Sequence, residues 1–86
     1  MLLPTIHSNG TSKAELVEGL CRASNALDLA YQALKACAPN GRDFYPQGAG
    51  ALEAATAEHM DRLRRLDAVK RDVDALTLAI HRIPSS

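Results

Sequence analysis

The sequence is poor in aromatic residues and carries no net charge. Its aromatic side chains are Tyr31, Phe44 and Tyr45, and tryptophan is absent. Sandwich and barrel folds are rich in aromatic and β-branched residues, so this composition argues against them. Ten basic residues balance ten acidic ones. Because of this balance, we do not expect a nucleic acid or an anionic membrane as a partner.

Long apolar runs are also missing, since no stretch approaches the roughly 18 residues that span a membrane. The segment from Met1 to Pro4 lacks the charged region and apolar run of a secretory signal. The expected location is therefore the cytoplasm, where cysteines are reduced. Cys21 and Cys37 do not have the close spacing of metal ligands. We predict that both are small core residues, and we expect no metal and no cofactor.

Alanine and leucine dominate instead, with 15 and 12 residues respectively, and they favour helices. Ser12, followed by Glu15, is typical of a helix start. Pro39 and the Asn40-Gly41 pair are typical of a helix stop. One domain is therefore predicted, consisting of an extended arm, a first helix, a loop, a second helix and a frayed tail at residues 1–10, 11–38, 39–49, 50–83 and 84–86.

Both predicted helices carry apolar residues at alternating spacings of three and four, which is the pattern of a coiled-coil seam. In the first helix these positions are Leu16, Leu20, Ala23, Leu27, Ala30, Leu34 and Cys37. In the second they are Leu52, Ala55, His59, Arg62, Leu66, Val69, Val73, Leu76, Ile80 and Ile83. Two seams joined by a loop predict an all-α fold, an antiparallel two-helix hairpin. With the loop at its centre, position i faces position 88 minus i.

A second stripe of small residues runs along the first helix beside its seam. Gly19, Ala26 and Ala33 are seven residues apart, and Leu29 lies next to them. A two-helix hairpin has little core of its own, so we expect this stripe to pack against another chain in a helical-bundle homo-oligomer. The alternative is that the N-terminal arm covers the stripe through its apolar residues, Leu2, Leu3 and Ile6.

Two polar residues, His59 and Arg62, interrupt the second seam one turn apart. One interpretation is a polar layer that fixes the register, in which Arg62 pairs with Asp28 and His59 bonds to Tyr31. The other is an anion-binding site, because guanidinium groups match phosphate oxygens and aromatic rings stack on bases. The residues predicted to contact such a ligand are Tyr31, Asn40, Arg42, Tyr45, His59 and Arg62.

Three segments of the chain resemble a group of small proteins encoded by bacteriophages and prophages of proteobacteria. They are Ile6 to Ser12, Ala38 to Gly48 and the Glu58-His59 pair. The resemblance covers nearly the whole chain, and its most specific block is the loop, in which Phe44 stands where the group usually has tyrosine. The group has no assigned activity. The resemblance implies a phage accessory protein, and by analogy one that counters bacterial immunity.

Two functions from different classes follow as hypotheses. In the first, the protein is not an enzyme but binds and sequesters a small anionic nucleotide-type immune signal in pockets formed between chains. In the second, it is a protein–protein interaction module that inhibits a host defence protein through its loop and its arm. Neither hypothesis assigns a catalytic residue.

Overall fold

A computed structural model describes residues 1–84, and all regular structure in that range is helical. Helix α1 spans Lys13–Lys35, the short helix α2 spans Gly41–Phe44, and helix α3 spans Ala51–His81. A 3-10 turn, Tyr45–Gln47, joins α2 to the segment before α3. The two long helices pack against each other in a molecule of 63 × 20 × 17 Å. The predicted all-α class with two long packed helices is therefore confirmed.

The ends of the helices follow local side-chain chemistry. Ser12 caps α1, and its hydroxyl oxygen accepts a hydrogen bond from the backbone N–H of Glu15 at 3.1 Å. Gly50 precedes α3 in the left-handed conformation, with φ of 88°, which a residue with a side chain rarely adopts. Helix α1 begins two residues later and ends three residues earlier than the sequence predicted. Helix α3 begins one residue later and ends two residues earlier. None of the helices in residues 1–84 is long and apolar enough to cross a membrane.

The segment predicted as a loop, residues 39–49, is partly helical. The side-chain oxygen of Asn40 accepts a hydrogen bond from the backbone N–H of Arg42 at 2.9 Å and so starts α2. Pro46 fits the first turn of the 3-10 segment, where its missing N–H costs nothing. Both short helices pack on α3. The turn signals in the sequence concealed this helix because Asn, Pro and Gly also begin and end short helices.

Contacts between the long helices show a register that differs from the predicted one. The ammonium group of Lys13 donates a hydrogen bond to the backbone oxygen of Ile83 at 2.6 Å. Ser24 donates to Asp74 at 2.5 Å. Position i of one helix therefore faces a position between 96 minus i and 98 minus i, rather than the predicted 88 minus i. The start of α3 extends beyond α1 and is covered by α2, which is why a loop placed at the centre gave the wrong register.

The packed face of α1 is rotated slightly from the predicted seam. Its half-buried and buried positions are Leu16 and a row with heptad spacing, which consists of Lys13, Val17, Leu20, Ser24, Leu27, Tyr31 and Leu34. Ser24 and Tyr31 thus replace the predicted Ala23 and Ala30, which are exposed. The ring of Tyr31 buries more apolar area than a methyl group, and Ser24 finds a partner in Asp74, so the rotation is favourable.

The packed face of α3 differs from the prediction at three positions, and the first is Leu52, which was predicted in the seam but is 40% exposed. Leu63 is buried with 4% of its surface exposed, whereas the predicted Arg62 is exposed. Lys70 is half-buried, whereas the predicted Val69 is 51% exposed. Within residues 1–84, just two apolar residues are buried, Leu63 and Ile80. The hairpin therefore has very little core.

Both cysteines are exposed, so the prediction that they are core residues is wrong. Cys21 lies on the edge of the packed face of α1, one residue beyond Leu20. Cys37 lies after the end of α1 and donates a hydrogen bond to the backbone oxygen of Ala33 at 3.4 Å. The prediction failed because it continued the seam past Lys35, where the helix ends.

A small polar network joins the middle of the two long helices. Asp74 accepts one hydrogen bond from Ser24 at 2.5 Å and another from Lys70 at 3.0 Å. The Ser24 hydroxyl and, next to it, the Lys70 ammonium hold the pKa of Asp74 below its ordinary value of 3.8. The hydrogen bond to Asp74 raises the pKa of Lys70, and the charge of Asp28 adds to this effect.

This network predicts a loss of stability in acid. Because the pKa of Asp74 is lowered in the folded protein, its contribution is fully present above pH 3.8 and is lost as the pH falls through the folded-state value. Ser24→Ala removes the largest cause of the shift. We expect the stability difference between wild type and Ser24→Ala, measured by urea unfolding, to be larger at pH 6 than at pH 2.5. Parallel pH profiles for the two proteins would contradict this assignment.

Candidate functional site

His59 is the most unusual of the predicted ligand residues. It is buried, with 5% of its surface exposed, and its Nε2 atom has no hydrogen-bond partner among residues 1–84. The predicted hydrogen bond between His59 and Tyr31 is therefore not formed through this nitrogen. In the observed register, His59 lies opposite residues 37–39, which connect α1 to α2. A buried nitrogen without a hydrogen-bond partner destabilises the folded protein. His59 is therefore either a residue that binds a ligand or a strained core residue.

Replacing His59 with leucine is expected to stabilise the folded protein. Leucine has a similar size and no polar atom, so the substitution removes a desolvated nitrogen whose burial costs about 1–3 kcal/mol. Thermal unfolding in the absence of any ligand measures the effect. A matched His7→Leu variant changes an exposed histidine in the arm and should leave the midpoint unchanged. A clearly less stable His59→Leu protein would show that Nε2 takes part in a hydrogen bond in solution.

Arg62 does not form the predicted ion pair with Asp28. Its guanidinium group lies 3.7 Å from Glu58 on the same helix, and about half of its side chain is exposed. The register explains the difference, because Asp28 lies near Lys70, eight residues further along α3. The interpretation of Arg62 as a partner in a buried register-fixing layer is therefore wrong. Arg62 remains accessible to an anion.

An open cavity of about 450 Å³ lies next to Arg62 on the surface of the hairpin. Arg65 shares it, and the other lining residues are Leu34, Leu66 and Val69. Each arginine has a carboxylate partner on its own helix, Glu58 or Asp61, and these pairs are exposed. Exposed pairs of this kind contribute little energy. A phosphate group can therefore replace the carboxylates at a modest cost.

The loop residues of the predicted site lie apart from this cavity. Asn40 and Arg42 are exposed, and Tyr45 is 79% exposed. The Cα of Gly41 lies beside Leu52, since a methyl group added there would sit 3.5 Å from the leucine side chain. Leu52 precedes Arg62 by ten residues, which is about 15 Å along a helix. Within one chain, the register places Tyr31 opposite residues 65–67, and His59 lies one turn before Arg62 on α3, whereas Arg42 and Tyr45 lie apart from the cavity.

The predicted interface residues all lie on the surface. Gly19, Ala26, Leu29 and Ala33 are exposed, and nothing lies within 4 Å of a Cβ added at Gly19. The arm does not cover them, because Leu2 is 96% exposed. The alternative in which the arm buries this stripe is therefore wrong. Together with Ala23 and Ala30, the exposed small residues form a second heptad row on α1 at spacings of four and three, and Cys37 continues this row two residues past the end of the helix.

We define the small-residue face by this row, which consists of Gly19, Ala23, Ala26, Ala30, Ala33 and Cys37. Residues of α1 advance by about 100° each, so the face lies on one side of the hairpin and Cys21 lies on the other. The cavity at Arg62 and Arg65 opens next to the face, because its lining residue Leu34 lies one turn after Ala30 on the same side of α1.

Sequence reasoning missed a groove on the opposite side of the hairpin. Cys21 and Asn25, one turn apart on α1, line it together with Asp74 and His81 from α3. The available signal was the spacing of these polar residues, which repeat at four and seven positions along their helices. It was overlooked because Cys21 was predicted to be a small core residue.

Comparison with known proteins gives no relative. No family model matches the chain, and neither a curated protein nor a solved structure matches it. The resemblance to small phage proteins therefore stays a prediction, and the function has to be argued from the geometry.

Proposed function

We propose that the protein is a non-enzymatic binding protein that works as a homo-oligomer of antiparallel helical hairpins. In this proposal it sequesters a small anionic nucleotide-type ligand in pockets that two chains form together. The observation that carries the proposal is the small-residue face, a complete and unpartnered heptad row that borders the cavity at Arg62 and Arg65.

The small-residue face has the chemistry of a close helix–helix contact. Glycine and alanine let two helix backbones approach more closely than leucine does, so a second helix makes many van der Waals contacts there. The occupant we propose is the same face of a second copy, because equal small side chains on both helices pack symmetrically about a two-fold axis. Leu29, which is 72% exposed beside the face, would be covered at the same time.

The exposed area of the chain supports assembly. Its surface is 6388 Å², whereas a folded monomer of 9.2 kDa typically exposes about 4,900 Å². The excess of about 1,500 Å² is larger than the roughly 800 Å² that each partner buries in an interface of standard size. One contact of standard size would remove about half of this excess, and two such contacts in a larger symmetric assembly would remove it.

Assembly would also complete the ligand site. In a single chain the cavity at Arg62 and Arg65 is open, and Arg42 and Tyr45 project from the loop without a neighbour that closes a pocket around them. A second hairpin on the small-residue face would cover one side of the cavity. Arginines in a site shielded from water bind phosphate more strongly than exposed ones do. The resemblance to phage proteins adds the role of capturing a bacterial immune signal in the host cytoplasm.

Light scattering and calorimetry test the proposal directly. We expect the wild-type protein to have a molar mass of at least two chains at micromolar concentration. We also expect it to bind at least one member of a panel of mononucleotides and cyclic dinucleotides, and a ligand at 100 times its dissociation constant should raise the stability by about 2.7 kcal/mol. A monomer that binds none of the panel would contradict both parts of the proposal.

A second candidate function is supported by the exposed arm. Met1 is 70% exposed, Leu2 is 96% exposed, and Tyr45 in the loop is 79% exposed. Apolar and aromatic side chains of this kind are typical of protein–protein contacts. In this alternative, the arm and the loop dock on a host defence protein and inhibit it. A Leu2→Ser/Leu3→Ser variant would then lose its protective effect on phage plating while nucleotide binding stays unchanged, whereas the first proposal expects both to be retained.

A further inference from the structure

A groove of about 370 Å³ runs between α1 and α3 on the side of the hairpin away from the small-residue face. Its walls are apolar at Val17 and Leu78 and polar at Asn25, Asp74 and His81. The volume lies within the range of small-molecule sites, which is about 300–1,000 Å³, and the mixture of apolar walls and a few polar groups is typical of them. The groove is separate from the cavity at Arg62, and the two share no lining residue.

We propose that this groove binds the base of a nucleotide that carries an exocyclic amino group, with the phosphate directed toward Lys13. The inference rests on the proposed function for the class of ligand, and it adds a second site for that class, apart from the cavity at Arg62. It is carried by the hydrogen-bonding groups in the groove and by a second cavity that continues it.

Acceptors for an amino group come from Asp74 and Asn25. An ionised carboxylate offers about four acceptor positions. Ser24 occupies one on Oδ1, and Lys70 occupies one on Oδ2, so positions remain free on both oxygens. Asn25 adds a carbonyl acceptor and two N–H donors on the facing helix. An amino-substituted base matches this set, since its amino group donates while its ring nitrogens accept, and its flat faces fit between Val17 and Leu78.

Lys13 is the residue that we expect to contact the phosphate group of the ligand. A cavity of about 280 Å³, lined by Lys13, Ala14, Val17 and His81, shares two residues with the groove and continues it toward the start of α1. The Lys13 ammonium donates one hydrogen bond to the backbone oxygen of Ile83 at 2.6 Å, which fixes its position and leaves two donors. Cys21 and Lys13 are eight residues apart, about 12 Å along the helix. The joined cavities therefore suit an elongated ligand rather than a compact ion.

The two exposed cysteines allow ligand binding in the groove to be measured through their rates of chemical modification. Cys21 lines the groove, whereas Cys37 lies beyond the other end of α1. We expect AMP to slow the alkylation of Cys21 by iodoacetamide at least fivefold and to leave Cys37 unchanged, with both rates read from peptide masses. IMP replaces the amino donor with a carbonyl that faces the Asp74 carboxylate, so we expect it to need at least a tenfold higher concentration for the same protection. Asn25→Ala, an exposed position, should weaken the protection by AMP.

The outcomes separate this inference from the proposed function. If calorimetry detects AMP or another nucleotide but Cys21 reacts at its free rate, the groove is not the site and the proposed function stands. If AMP protects Cys21 and Arg62→Ala binds AMP like wild type, the groove is the site and the pocket at Arg62 is not. Equal protection by AMP and IMP, or no protection by AMP at millimolar concentration, overturns the inference.

Discussion

An Ala26→Arg protein is expected to be a folded monomer at micromolar concentrations at which the wild-type chain is an oligomer. Ala26 lies in the middle of the small-residue face and is exposed within one chain, so the substitution costs the isolated hairpin little. In the proposed assembly the same position is buried against a second helix. A long charged side chain there would be desolvated without a partner, and the backbones could no longer approach closely. Light scattering measures the change in molar mass.

Gln32→Arg is the matched control for this prediction. It introduces the same charge on α1 at an exposed position away from the small-residue face and away from the groove, so its molar mass should equal that of the wild type. Cys37 provides a second readout, because it belongs to the face. Its alkylation should be slow in the wild type and fast in Ala26→Arg, while Cys21 reacts at similar rates in both. An Ala26→Arg complex of wild-type size would show that this face is not the interface.

The heptad spacing predicted the two long helices but not which of two neighbouring residues turns inward. The pattern fits either residue at positions 62 and 63. The structure buries Leu63 and leaves Arg62 exposed, because burial is favourable for an apolar leucine and costly for a charged arginine. Ser24 was not predicted because its burial depends on Asp74, which is 50 residues away in sequence. Such choices are made by long-range partners, which a local pattern does not contain.

The predicted site was limited by the same uncertainty in register. A shift of about ten positions moves Arg62 from the level of Asp28 to the end of α1, and it moves Asp28 next to Lys70. The shift arises because α2 covers the first turns of α3, and its four residues have no apolar period that a sequence pattern would reveal. The burial of His59 was predicted because its heptad position lies on the packed face of α3 in either register.

Arg62→Ala is expected to weaken nucleotide binding by tenfold or more while the protein stays assembled. A hydrogen bond between charged groups contributes about 1.5–3 kcal/mol, and 1.4 kcal/mol is a factor of ten in affinity. We expect the stability of the isolated chain to change little, because the ion pair of Arg62 with Glu58 is exposed and long, at 3.7 Å. Calorimetry with the nucleotide that binds best in the panel gives the affinity, and light scattering shows whether the oligomer is intact.

Arg71→Ala is the matched control, because Arg71 is an exposed arginine on the same helix with a carboxylate partner, Asp67, at 2.8 Å. It removes the same charge outside the cavity, so general electrostatic attraction falls equally in both variants. If the two proteins bind alike, the effect of Arg62 is one of net charge, and the pocket proposal fails. If Arg62→Ala alone loses affinity, and a Glu58→Gln protein binds more tightly than wild type, the carboxylate competes with the ligand phosphate for the same guanidinium group.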